Sequence, residues 1–152
     1  MASPHAREVR RHPQEARASF PPELRSAAAA RHFAEAVLAE MDLPSALDVT
    51  RLLVSELVVN AVVHAESEAQ VVLHHDGARL RVEVLDDSTT LPVVRGHSPT
   101  VPDGRGLRIL DGLADRWGVD VTDGGKAVWF ELVVESIDEH EAVGRPVSGN
   151  GS

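Results

Sequence analysis

Residues 55–65 read "SELVVNAVVHA", and whether they form a strand or a helix decides where a Glu, an Asn and a His point. As a strand the run alternates, with Glu56, Val58, Asn60, Val62 and His64 on one face and Leu57, Val59, Ala61 and Val63 on the other. Its β-branched content suits that reading. As a helix, Glu56, Asn60 and His64 recur at i, i+4 and i+8 along one side of an element that is otherwise apolar nearly all round. Length and flanks arbitrate. Residues 45–65 contain no Gly or Pro, a run far longer than a typical strand. Upstream, "LPSALD" (43–48) offers Ser45 as N-cap with Asp48 three residues on, where a carboxylate also suits the positive end of the helix dipole. The reading is a buried helix over about 45–65, and its polar stripe is then the feature to explain.

Composition narrows the setting. A chain of 152 residues supports one domain with its own core. The absence of cysteine excludes disulfides and thiolate metal sites. A formal net charge of −9 disfavours nucleic acid as the main partner, because such binding relies on neutralising phosphates with Lys and Arg. Lys126 is the only lysine. No apolar stretch is long enough to span a membrane, and residues 1–19 lack the apolar segment of a secretory signal, so a cytoplasmic protein is expected. Both ends read as solvated tails: the polar, Arg-bearing start, and residues 135–152, acidic and then Gly/Ser-rich.

Between the tails the pattern changes several times. After a possible edge strand at 17–20, Pro21 and Pro22 open a helix over residues 23–42, with Leu24, Ala28, Phe33, Val37, Leu38 and Met41 at helical spacing. Residues 69–87, "AQVVLHHDGARLRVEVLDD", are two β-rich runs joined by Asp76-Gly77, a hairpin signal. In the second run Leu80, Val82 and Val84 alternate with Arg79, Arg81 and Glu83, one face buried and one wet. Residues 88–103, "STTLPVVRGHSPTVPD", hold no sustained period, and loops of this length in a compact domain are usually functional or disordered. "GRGLRILDGLADRW" (104–117) follows, with Gly104 and Gly106 preceding a helical pattern through Leu107, Leu110 and Leu113. A second hairpin, "WGVDVT", "DGG", "KAVWFELVV", closes the domain. Helices first, then strands with one further helix between two hairpins, predict an α+β sandwich with helices on one face of a mostly antiparallel sheet.

Three groups of residues can carry chemistry. Glu56 and Asn60, one helical turn apart, project a carboxylate and a carboxamide oxygen to one place. The first suits a general base and the second a single hard oxygen ligand for Mg²⁺, an ion that takes its other ligands from water and phosphates. A Glu and an Asn bonding between helices is the commoner use of such a pair, and the pair alone leaves both open. Asp86 and Asp87 close a strand and face opposite ways, so one of them can point into a pocket and accept from the amino group of a purine; strand-end turn chemistry is the ordinary alternative. Gly104 and Gly106 ahead of a helix free backbone amides for phosphate oxygens, although "DGRGLRIL" matches neither the Walker A nor the G-x-G-x-x-G pattern. The histidines show no metal-ligand spacing.

"ELVVNAVVHA", "VEVLDDS", a long irregular loop and "GRGLRIL", in that order, resemble the Bergerat-type (GHKL) ATPase superfamily. Within it the chain is similar to the short actinobacterial anti-sigma-factor serine/threonine kinases, whose further hallmark, a lysine followed by Val-Trp and an acidic residue, appears here as "GKAVWFEL". The resemblance covers residues 20–134 and implies an ATP-binding α/β sandwich with a mobile lid at about 88–103. It makes Glu56 the catalytic base, Asn60 the magnesium ligand, and Asp86 the adenine contact. Nucleotide contacts also fall to Asn60, Ser88, Gly104, Arg105, Gly106 and Leu107. Where the wider superfamily has Asp-x-Gly-x-Gly, this chain has Asp86-Asp87-Ser88-Thr89-Thr90, and side chains in place of the glycines narrow the adenine pocket.

The function so implied is Mg²⁺-ATP-dependent phosphorylation of an anti-anti-sigma (STAS) protein, coupled to binding of a sigma factor, in a chain that resembles proteins often found as homodimers. The alternative is a nucleotide-binding module that sequesters a protein partner without phosphotransfer. A gyrase- or chaperone-type engine and a sensor histidine kinase need domains for which this length leaves no room. On the first helix, Arg25 and Arg31 are candidate partner contacts with an equally good surface-charge reading.

Overall fold

The computed structural model describes residues 14–88 and 102–134, with side chains of the second segment described from Arg108 onward. The expected lid, but for its ends, and the two tails lie outside the described residues. Strand β1 (Gln14–Phe20) is followed by helix α1 (Ser26–Met41), a 3-10 turn (Pro44–Ala46) and helix α2 (Leu47–Val59), which runs on as a π-helical turn (Asn60–His64). Strands β2 (Ala69–His75) and β3 (Arg79–Asp86), helix α3 (Pro102–Leu113), and strands β4 (Arg116–Thr122) and β5 (Gly125–Val133) complete the order.

The strands form one five-stranded sheet in the order β1-β2-β3-β5-β4. Each of these pairings is antiparallel, so the sheet is the α+β type expected from the sequence. Strand alternation sorts its faces. Val71, Leu73, Leu80, Val82, Val84, Val128 and Phe130 point to the helices and join Ala30, Leu38, Leu53, Val54, Leu57 and Leu110 in one buried cluster. Burial of a Leu- or Phe-sized side chain contributes about 1.5–3 kcal/mol, so this two-layer core positions everything that follows.

The opposite face has no helix among the described residues and is covered by charge instead. The Arg81 guanidinium lies 4.1 Å from the centre of the Trp129 ring and bonds Glu83 at 2.8 Å and Glu131 at 3.1 Å. Burial opposes its charge, but the two carboxylates outweigh that and hold it above the usual arginine range. The guanidinium stem and head thus shield a Trp that the alternating pattern exposes.

Several local expectations are corrected. β1 begins at Gln14, three residues before the expected start. Residues 21–25 form turns, with Glu23 N–H donating to the Pro21 carbonyl at 2.7 Å, so α1 starts at Ser26, not directly after the prolines. Ser45 caps nothing: Pro44 starts a 3-10 turn that includes Ser45, and α2 begins at Leu47 with no side-chain cap. The Asp76-Gly77 hairpin matches its signal, with Gly77 at φ 105° and Asp76 Oδ1 accepting from the amides of Ala78 and Arg79 at 2.9 Å each. Gly104 and Gly106 lie inside α3, not ahead of it. Gly125 belongs to β5 and not to the turn.

Candidate functional site

The stretch 55–65 is helical, as its length requires, but not a single α-helix. After Val59 the bonding widens: Ala65 N–H donates to the Asn60 carbonyl at 3.0 Å, five residues back. Insertions of this kind inside helices are rare and cluster at functional sites. The wider turn also alters the polar stripe. Glu56 and Asn60 are half-buried while His64 is exposed, so the first two share a setting that the histidine leaves. A helix in regular α geometry would have stacked all three.

The widened turn lies where the fold converges. It packs against both β3 and α3, which carry the other candidate residues. Ser67 connects it to the end of β3. Its amide donates to the Ala61 carbonyl at 3.0 Å, and its hydroxyl oxygen accepts from the Asp87 amide at 2.8 Å. Ser67 is buried, and no periodicity singled it out; only the tertiary fold shows that it ties the Asn60 turn to the strand bearing Asp86.

Asp86 and Asp87 separate as strand geometry dictates. Asp87 is exposed, whereas Asp86 falls on the helix-facing side of β3, in line with Leu80, Val82 and Val84. Its carboxylate is not open. Lys126, directly opposite in the β3–β5 register, places its ammonium 2.8 Å from each carboxylate oxygen, and the Ser88 amide donates to Oδ1 at 2.8 Å. The Lys126 and Asp86 side chains are 5% and 4% exposed. Lys126 lies within "GKAVWFEL", where no local pattern assigns it a role; its being the sole lysine is the available signal. Beside it, Gly125 runs so close to β3 that an added Cβ would lie 1.8 Å from the Asp86 carbonyl oxygen.

Of the remaining candidates, Gly104, Arg105, Gly106 and Leu107 lie in the first half of α3. Arg25 pairs with Glu23 at 2.5 Å, and Arg31 donates to Ser55 Oγ at 3.3 Å, bridging α1 and α2. A cavity of about 330 Å³ opens at the same end of the sheet, but Ser19, Gln70 and Leu85 in its lining belong to the face away from the helices, and neither Glu56 nor Asn60 lines it. Asp86 and Asp87 also line it, so it reaches the Asp86 end of the candidate site without including Glu56 or Asn60.

The fold is a two-layer α+β sandwich in which a π-distorted helix packs its widened turn against the central strand and α3. The family model of the histidine kinase-like ATPase domain matches residues 20–132, and the chain belongs to that family. It is therefore an ATP-binding domain of the GHKL type. No curated protein matches it. Among the described residues, no helix is long and apolar enough to cross a membrane.

Proposed function

We propose that this chain is an ATP-dependent serine/threonine kinase of the anti-sigma-factor kind, acting on an anti-anti-sigma (STAS) protein in a partner-switching pair. The observation that carries this reading is the placement of Glu56, half-buried and one α-helical turn before Asn60, at the point where α2 widens to pack on β3 and α3. A carboxylate there can take the proton of an attacking hydroxyl, which contributes about 10²–10⁴-fold to such reactions. Asn60 presents one hard oxygen on the same side. A single protein oxygen suits Mg²⁺, which needs few protein ligands when phosphates and water supply the others. When bound, the ion would neutralise phosphate charge. Asp86 would accept from the base, and Ser88 with the free first-turn amides of α3 up to Gly104 would meet the remainder of the nucleotide, Arg105, Gly106 and Leu107 following directly along the helix. Phosphate placed on the partner adds negative charge at its contact surface and weakens a complex with this acidic chain.

The test is calorimetric titration of Mg²⁺-ATP into wild type, Asn60→Ala and Glu56→Gln, followed by phosphotransfer to candidate STAS-domain proteins. Expected are magnesium-dependent binding that Asn60→Ala weakens, and a Glu56→Gln variant that binds ATP but transfers about 10²–10⁴-fold more slowly. Transfer by Glu56→Gln at the wild-type rate would remove Glu56 as the base. Partner regulation that survives Glu56→Gln in cells would favour the binding module over the kinase.

A further inference from the structure

Lys126 has no part in the mechanism above, yet it lies against the group to which that mechanism assigns the base. Its ion pair with Asp86 is as buried as the apolar core, where two charges are costly to desolvate and a well-packed apolar pair is often no worse for stability. The contacts leave the carboxylate a defined remaining capacity. A carboxylate offers about four lone-pair sites; Lys126 occupies one on each oxygen and the Ser88 amide a second on Oδ1. Among the described residues, one acceptor position is left, on Oδ2.

We propose that Lys126 is the residue that sets base selectivity in the nucleotide site: by pinning both oxygens of the Asp86 carboxylate in one orientation, it selects purines with an amino group at position 6 over purines with an oxo group there. The inference rests on the reading of Asp86 as the base contact. An ionised carboxylate has no proton to give, so a 6-oxo purine would set an acceptor against an acceptor and leave both unpaired, a mismatch that sites built on hydrogen bonds reject strongly. Without the ammonium the two oxygens are no longer pinned, and the carboxylate can turn to accept from the ring N1–H that a 6-oxo purine carries. Loss of the ammonium therefore alters which base is accepted, beyond any change in overall affinity.

The experiment is calorimetric binding of ATP and inosine triphosphate, each with Mg²⁺, to wild type, Lys126→Met, Lys126→Gln and Lys126→Arg, with thermal melts to confirm folding. Wild type is expected to prefer ATP by at least about tenfold. In Lys126→Met and Lys126→Gln the ATP-to-ITP ratio falls toward unity, and Lys126→Arg, which keeps the charge, restores it. Lys126→Gln retains a neutral donor to Asp86 and serves where Lys126→Met does not fold. A purely structural lysine would weaken both nucleotides equally and leave the ratio unchanged; that result, or a wild type without preference, overturns the proposal. Wild type binding neither triphosphate overturns the nucleotide-site reading itself.

Discussion

Gly125→Ala tests the coupling between the sheet and the candidate site. The added Cβ would lie 1.8 Å from the Asp86 carbonyl oxygen and 2.8 Å from the Asp87 Cα. Both are backbone atoms, so no side chain can swing aside. Relief to even 3.0 Å needs about 1.2 Å of movement between β5 and the end of β3, and overpacking of this kind costs about 1–3 kcal/mol. At about 4 °C per kcal/mol for a domain of this size, the melting temperature should fall by about 4–12 °C. The same movement shifts Asp86 off its position by more than the roughly 0.5 Å that binding constellations tolerate. ATP affinity should therefore fall at least about tenfold, equivalent to about 1.4 kcal/mol. Gly124→Ala is the control: nothing lies within 4 Å of its added Cβ, and it should stay within about 0.5 kcal/mol of wild type. The assay is a thermal melt by circular dichroism with parallel ATP calorimetry. A Gly125→Ala protein that melts and binds like the Gly124→Ala control would refute the close approach and the coupling drawn from it.

Two further outcomes follow from single positions. Gly112 is exposed near the end of α3, with open space around an added Cβ; Gly112→Ala should stabilise by about 0.5–1 kcal/mol, and a lower melting temperature would contradict that. The amides of Ala78 and Arg79 hold the Asp76 carboxyl below its ordinary value of 3.8. A lowered carboxyl contributes stability that is complete above the unfolded value and lost as pH falls through the folded one, so this share is lost only below about pH 4. Asp76→Asn keeps an acceptor oxygen without titrating, and wild type should lose more stability than the variant in that acid range alone; a gap between their melting temperatures that does not change on acidification would exclude the effect.

Much of the architecture was legible because it rests on local periodicity. The absence of Gly and Pro over residues 45–65 settled helix over strand at "SELVVNAVVHA", Asp76-Gly77 marked its hairpin, and the alternation of Leu80, Val82 and Val84 named the buried face of β3. Signals that depended on a boundary failed. Ser45 looked like a cap, but Pro44 starts a 3-10 turn there, and two glycines that looked like a helix entrance lie within α3, where the helical bonding that overrides their weak propensity is cooperative.

Sequence by itself determined the order of elements, the family resemblance and the spacing of Glu56 and Asn60, because each depends on residues near one another in the chain. Only the tertiary structure decided that the helix widens at Asn60, that Ser67 ties this turn to Asp87, and that the sole lysine closes on Asp86. Lys126 and Asp86 are 40 residues apart, and they meet because the chain after β3 runs out to the edge strand β4 and β5 returns between β4 and β3. Pairing across such a distance is fixed by sheet register and by the cost of leaving a buried charge unmatched, and neither can be read from a local pattern.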